Sequence, residues 1–422
     1  MRLLIDNSGY ALKNYGDLAM LLVNVKRFKQ YFPAAEIFIF TEEPEKLKDL
    51  LPFALPVSPS GRNVWLMPWN LFGALHKFVP SILHPWLLRK ERLIKHMYPN
   101  ASRRWVKRRL LKRGVNIAPM VEYLDAVEQA DVVIASGGGF ITDSFEYHAC
   151  SLLQTIALAQ FYGKPTALFG QGLGPVKSKE ILSWVSCVFP KLNQLSLREG
   201  HFSKPFSLLS GVNPSVMDVT GDDAISLANS MAPQKLGSNL GVNLRLAGYS
   251  GVGESAVSAF KKILTKAAMD LDTELCGLPI SFHEGDSDLS SLRSILGDDA
   301  IDINVFDSID KLVKQVGGCR VVITGSYHAG VFALSQGVSV IAVVGSDYYR
   351  QKFEGLNGQF TVGCQIVDQE SSFFEESLKK AIHHSWTSAD ITRPALLKKA
   401  AEQISLSEQA YNKFFETVAK RK

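Results

Sequence analysis

Val321-Val322-Ile323-Thr324-Gly325-Ser326-Tyr327-His328-Ala329-Gly330-Val331-Phe332-Ala333-Leu334-Ser335-Gln336 decides the fold. The first four residues predict a buried core strand, Gly325 to His328 a turn, and Ala329 to Gln336 a helix. Val338 to Val344 closes the unit as the next strand. Strand, loop, helix, strand is the rhythm of a parallel α/β sheet.

The same rhythm opens the chain. Arg2 to Asn7 reads as a strand that stops at a turn-rich stretch ending in Asn14-Tyr15-Gly16-Asp17. Apolar residues at 18, 21, 22, 25 and 28 then predict a helix to Tyr31 with Asp17 as N-cap, and Glu36 to Phe40 the next strand. Past an irregular aromatic, proline-rich and basic stretch, Asp131 to Ala135 resumes as a strand. Ser136 to Gly139 follows as a tight turn, with a helix over Glu146 to Tyr162. Thr166 to Phe169 is a strand leading into Gly170-Gln171-Gly172-Leu173-Gly174-Pro175, and Gln194 to Arg198 another. A second unit begins at Leu240 to Leu244, ending at Arg245. The expected organisation is a first Rossmann-like domain over 1–230 with an insertion at about 52–119, a second over 239–370, and C-terminal helices over 371–422 packing back.

With 46% hydrophobic and 21% charged residues over 422 positions, composition is that of a globular protein and excludes disorder. No window reaches the roughly 18 apolar residues of a spanning helix, and the early residues lack a secretory pattern. A cytoplasmic protein is expected, with peripheral association at the inner face of a membrane as the further expectation. The five cysteines are dispersed, without redox or zinc spacing. Charge is uneven: Trp86 to Gly114 holds eleven Lys and Arg against Glu91, a local +10 that leaves the remainder at −5 in a chain of net +5. Beside Trp65, Leu66, Met67, Trp69, Leu71 and Phe72, read as exposed-type apolar residues, this basic run at 86–113 suits an anionic membrane surface or a solvated helical pair. No nucleic-acid module accompanies it.

In open parallel sheets ligands bind beyond the carboxyl ends of strands, where the polar and glycine clusters fall. Gly137, Gly138 and Gly139 either bring backbone N–H groups to an anion at a helix start or simply make a tight turn. They lack the spacing and downstream acid of a dinucleotide site, so no nicotinamide cofactor is expected, nor is a metal. His328, at a helix start after a core strand, can bind phosphate or transfer a proton. Arg198 and Arg245, each following a strand, suit carboxylate or phosphate recognition. Asp222 and Asp223 read as caps of the helix near Ala224.

Taken in order, Asn14-Tyr15-Gly16-Asp17, Asp131-Val132-Val133-Ile134 with the glycine triplet, Gly170 to Pro175, Leu197-Arg198-Glu199, Gly221-Asp222-Asp223-Ala224 and Gly325 to Leu334 resemble the polysaccharide pyruvyl transferase family. The resemblance implies an α/β fold similar to GT-B glycosyltransferases, two Rossmann-like domains facing a cleft. It implies transfer of pyruvate from phosphoenolpyruvate as a ketal onto two sugar hydroxyls, the acceptor being a sugar or a lipid-linked oligosaccharide. His328 then matches the family's histidine of donor binding or acid catalysis, with Asp17 as the second catalytic candidate. Arg198 matches the donor-holding arginine. Asn14, Gly16, Gln171, Gly172, Ser326, Tyr327 and Arg245 join the glycine triplet as substrate-binding candidates. One departure is Ser326, where the family usually has arginine; Arg245 or Arg320 would have to replace it. A nucleotide-linked sugar donor and a non-catalytic glycan-assembly role remain the alternatives.

Overall fold

The computed structural model describes residues 1–7, 9–244, 254–283, 286–297 and 308–421. Among them, the first sheet contains β1 (Arg2–Asp6), β2 (Glu36–Phe40), β3 (Ala54–Val57), β4 (Val132–Ala135), β5 (Gly138–Ile141), β6 (Thr166–Leu173), β7 (Gln194–Leu197) and β8 (Met217–Val219). All pairings are parallel, in the order β3-β2-β1-β4-β6-β7-β8, with β5 beside the far half of β6. The second part of the chain supplies β9 (Asn239–Asn243), β10 (Leu275–Gly277), the short hairpin β11 (Phe282–His283) and β12 (Asp286–Ser287), then β13 (Cys319–Thr324), β14 (Ser339–Val344) and β15 (Cys364–Asp368). Its parallel sheet runs β10-β9-β13-β14-β15.

Each sheet reverses its direction of growth once, between β1 and β4 and between β9 and β13. A crevice opens at the carboxyl ends of such a pair because the flanking connections depart to opposite faces. Alternation along the strands fills both faces of the first sheet: Leu3 and Ile5 enter a core shared with Phe169, Val321 and Phe414, while Leu4 enters the opposite core with Val133, Leu168 and Leu195.

Two devices join the halves. The backbone of the loop before helix Tyr15–Tyr31 pairs with the second domain: Tyr15 N–H donates to Ile280 O at 3.0 Å, and Phe282 N–H donates to Lys13 O at 2.8 Å. The tail is one 46-residue helix, Phe374–Ala419, that continues through Pro394. Its Arg393 donates to Gln336 O at 2.8 Å in the second domain, and its Tyr411 stacks on Phe169 of β6 with ring centroids 3.8 Å apart.

Four local expectations change. Ser136 to Gly139 runs directly into β5, because Gly138 pairs with Gln171 and Ile141 with Leu173, and the following α-helix starts only at Glu146. Correspondingly, β6 does not stop at Phe169 but continues to Leu173. The insertion is also shorter than 52–119, since β3 belongs to the sheet and helix Ala118–Gln129 leads back to β4. Between them lie helices Ser60–Leu66, His84–Met97 and Pro99–Lys112. Trp65, expected at the surface, is only 5% exposed, covered by Lys95, whose Nζ lies 5.5 Å from the ring centroid.

Candidate active site

A cleft of about 470 Å³ lies between the two crevices, with Asn14, Asp17, Gly139, Arg198, Ser326, Tyr327 and His328 in its wall. Behind its wall, at Ser281 and Ser326, runs a chain of buried hydrogen bonds. Thr324 Oγ1 donates to Asn243 Oδ1 at 3.1 Å, Asn243 Nδ2 donates to Asp288 Oδ2 at 2.9 Å, and that carboxylate also accepts the Ile280 and Ser281 N–H groups. Ser281 in turn bridges Asn14, so the end of β13 and the start of the first helix are held in one frame.

Asn14, not Asp17, caps that helix: Asn14 Oδ1 accepts from Gly16 N at 2.9 Å and Asp17 N at 3.3 Å. Asp17 occupies the first turn and faces the cleft. A Cβ on Gly16 would come within 2.0 Å of the His328 Cγ and Nδ1 atoms, so glycine there lets the imidazole lie against the helix start. His328 opens helix Tyr327–Ser335, with its Nε2 3.7 Å from Asp222 Oδ2.

Arg198 leaves the end of β7 with its side chain only 4% exposed. Its guanidinium lies on the Tyr327 ring, Cζ 4.1 Å from the centroid, and two glycines make room for it. A Cβ on Gly172 would stand 2.2 Å from Nε, and one on Gly139 2.4 Å from a terminal nitrogen. The carboxylate oxygen facing it, Asp222 Oδ2, stays 4.0 Å away, beyond hydrogen-bond reach. Such a buried guanidinium retains donors for an incoming anion.

Asp222 is the residue the sequence reading assigned to capping. It does accept the Ala224 N–H at 2.9 Å on Oδ1, but its other oxygen faces both Arg198 and His328. Burial is the main force on its carboxyl and pushes the pKa up to about 7; Arg198 and the Ala224 N–H oppose this, while Asp223 and Asp17 reinforce it. Asp223 is structural. Its carboxylate is taken by Arg27 at 3.1 Å, Ser407 at 2.8 Å and Tyr411 at 2.8 Å, which ties the long C-terminal helix to the first domain.

The remaining candidates separate. Gln171 is buried and donates to Ser136 O at 2.7 Å, fixing β6 to the β4–β5 connection rather than facing a ligand. Gly137 packs against Met20, whose sulfur would stand 2.4 Å from a Cβ there, and Gly138 is a buried residue of β5. With no helix starting behind it, the triplet is not an anion cradle at a helix terminus. Ser326 lines the cleft, and its N–H donates to Thr324 Oγ1 at 2.8 Å. Arg320 points away, held by Trp386 O at 3.1 Å and Asp390 at 2.5 Å, so it does not replace the missing arginine. Arg245 lies outside the described residues.

Lys352 was missed and stands in the cleft wall. On helix Asp347–Phe360 it follows Tyr348 by one turn, with Nζ 3.8 Å from that ring's centroid. Tyr348 also donates to Gly139 O at 2.9 Å across the domains. The pair's i, i+4 spacing is the one signal the sequence offered.

The family model for polysaccharide pyruvyl transferases matches residues 14–348, a span holding all of these residues except Lys352 and the C-terminal helix. No curated protein matches the chain. Among solved structures, a protein described as a UDP-N-acetylglucosamine 2-epimerase from Listeria monocytogenes is similar with TM-score 0.56 and 13% identity, covering 97% of this chain and 94% of that one. UDP-GlcNAc 2-epimerase from Neisseria meningitidis gives TM-score 0.51 and 12% identity over 96% and 99%. UGT89C1 of Arabidopsis thaliana, complexed with UDP, gives 0.51 and 12% over 99% of each chain. At these identities the likeness establishes the fold, two Rossmann-like domains in a GT-B arrangement.

Proposed function

We propose that this chain, a transferase that belongs to the polysaccharide pyruvyl transferase family, moves pyruvate from phosphoenolpyruvate onto two hydroxyls of a sugar as a ketal. The observation that carries the donor is Arg198: a nearly buried guanidinium in the cleft wall, backed by Tyr327, with Asp222 held 4.0 Å off. Among the described residues Lys352 is a further cation of that wall and supplies, in place of an arginine at Ser326, the charge a phosphate and a carboxylate together require.

In the reaction, one sugar hydroxyl adds to the donor's C2 while C3 takes a proton. The C2–O bond to phosphate then breaks, the second hydroxyl closes the ketal, and phosphate departs. Two hydroxyl protons are released, one matching the proton gained at C3 and the other leaving with phosphate or solvent. His328 is the acid for C3, and Asp17 the base for the attacking hydroxyl. Asp222, neutral up to about pH 7, faces His328 without setting a full negative charge against the bound donor. The acceptor is a sugar of a cell-envelope or exopolysaccharide precursor, in the cytoplasm or on a lipid carrier at the membrane's inner face. Titration calorimetry tests the donor: phosphoenolpyruvate should bind and UDP-sugars should not. The reverse pattern would move the chain to nucleotide-sugar chemistry, and binding of neither would favour a non-catalytic role.

A further inference from the structure

The insertion is where the surface changes character. Among the described residues, eleven of the twenty-four exposed large apolar side chains lie between Met67 and Leu111. Phe78 is 83% exposed, Ile82 84%, Trp86 57% and Trp105 58%. Solvated apolar groups at this density mark an interaction surface, since isolated ones are ordinary but a run of them is not.

Charge sorts within the same segment. Some cations hold the insertion together: Lys95 pairs with Glu91 at 2.9 Å, Arg92 pairs with Glu180, and Arg103 reaches Asp125 at 2.5 Å and Glu128 at 3.0 Å. Arg89, Lys90, Arg104, Lys107, Arg108 and Lys112 are exposed instead, and among the described residues none has a carboxylate within 4.0 Å. On helix His84–Met97, Trp86, Lys90, Leu93 and Met97 recur at helical spacing as exposed residues; on Pro99–Lys112, Arg104, Trp105, Arg108 and Leu111 do the same. Apolar and basic residues therefore share exposed faces.

We infer that the exposed face of this insertion, from Phe78 to Lys112, docks on an anionic lipid bilayer. Rings and aliphatic tips enter the boundary between headgroups and acyl chains while Lys and Arg meet lipid phosphates. A polyanion such as nucleic acid would use the cations but leave Phe78 and Ile82 in water, because its contacts are mainly to phosphate and sugar. Among the described residues no helix is long and apolar enough to cross a membrane, so the contact is peripheral. The docking stands on the insertion alone and rests on the proposed reaction only for its purpose, presenting the cleft to lipid-linked acceptors.

The test is co-sedimentation of the full chain with vesicles of phosphatidylcholine alone and of phosphatidylcholine with phosphatidylglycerol. Binding is expected to the anionic vesicles and to fall steeply as salt rises. Replacing Arg104, Lys107, Arg108 and Lys112 with Gln should weaken it by about 100-fold or more, each cation near such a surface counting for about fivefold. A second variant, Phe78→Ser with Ile82→Ser and Trp86→Ser, should also weaken binding while leaving its salt dependence in place. Both variants should keep the parent's melting temperature and its phosphoenolpyruvate affinity, whatever that affinity is. A parent that stays in the supernatant with anionic vesicles at low salt overturns the inference, and so does equal binding to neutral vesicles. Capture of duplex DNA without vesicle binding would reassign the face to nucleic acid.

Discussion

Replacing Asp222 with Asn fixes the carboxyl in its neutral shape and removes its titration. In the folded protein burial pushes that carboxyl from its ordinary 3.8 to about 7. A group that keeps its proton longer when folded binds more protons in the native state throughout that interval, so stability falls as pH rises between the two values and is constant above. At 1.36 kcal/mol per unit, the parent loses roughly 3 kcal/mol from this group between pH 5 and pH 8, and Asp222→Asn loses none of it. Urea unfolding of parent and variant at matched pH isolates the effect, since every other titrating group is common to both. The stability difference should move in the variant's favour by that amount across the interval. A difference that stays flat with pH would show that Asp222 titrates at an ordinary value, and its role beside His328 would have to be abandoned.

His328→Ala should fold normally, because the imidazole packs against a glycine helix start, and should lose about 100-fold to 10,000-fold in turnover, measured as phosphate release. Near-parental turnover would remove it as the acid. Arg198→Lys keeps the charge but not the planar fork, so donor affinity should fall at least about tenfold by calorimetry; unchanged affinity would take Arg198 out of the site. Gly172→Ala places a methyl 2.2 Å from Arg198 Nε and should reproduce the affinity loss without touching the ligand itself. Should Gly172→Ala bind donor normally, Arg198 is not held where the cleft requires it.

Arg198 and His328 were legible as cleft residues because Arg198 directly follows a strand and His328 stands in the first turn of the helix after one, and the carboxyl end of a strand in a parallel sheet is where the chain turns into the cleft. The glycines were legible as positions but not in their purpose: Gly16, Gly139 and Gly172 make space for side chains distant in sequence, and only the packed structure shows which. Asp222 was hidden because one of its oxygens does perform the capping that its sequence context suggests. Lys352 sits in an ordinary amphipathic helix, and its approach to Gly139, which a Cβ there would bring within 2.9 Å of Cε, arises from how the two domains meet. Continuation of β6 past Gly170 was likewise a matter of pairing: a glycine-rich run reads as a loop unless a partner strand such as β5 lies beside it.

The most direct test of the proposed chemistry is to run the reaction in deuterium oxide with phosphoenolpyruvate and a cell-envelope glycan precursor, and to examine the product by mass spectrometry and carbon NMR. Protonation of C3 by His328 during transfer should leave one deuterium in the methyl group of a new ketal, with one phosphate released per ketal. A glycan that gains no ketal under conditions where the protein binds both substrates, or a ketal whose methyl carries no deuterium, would contradict it.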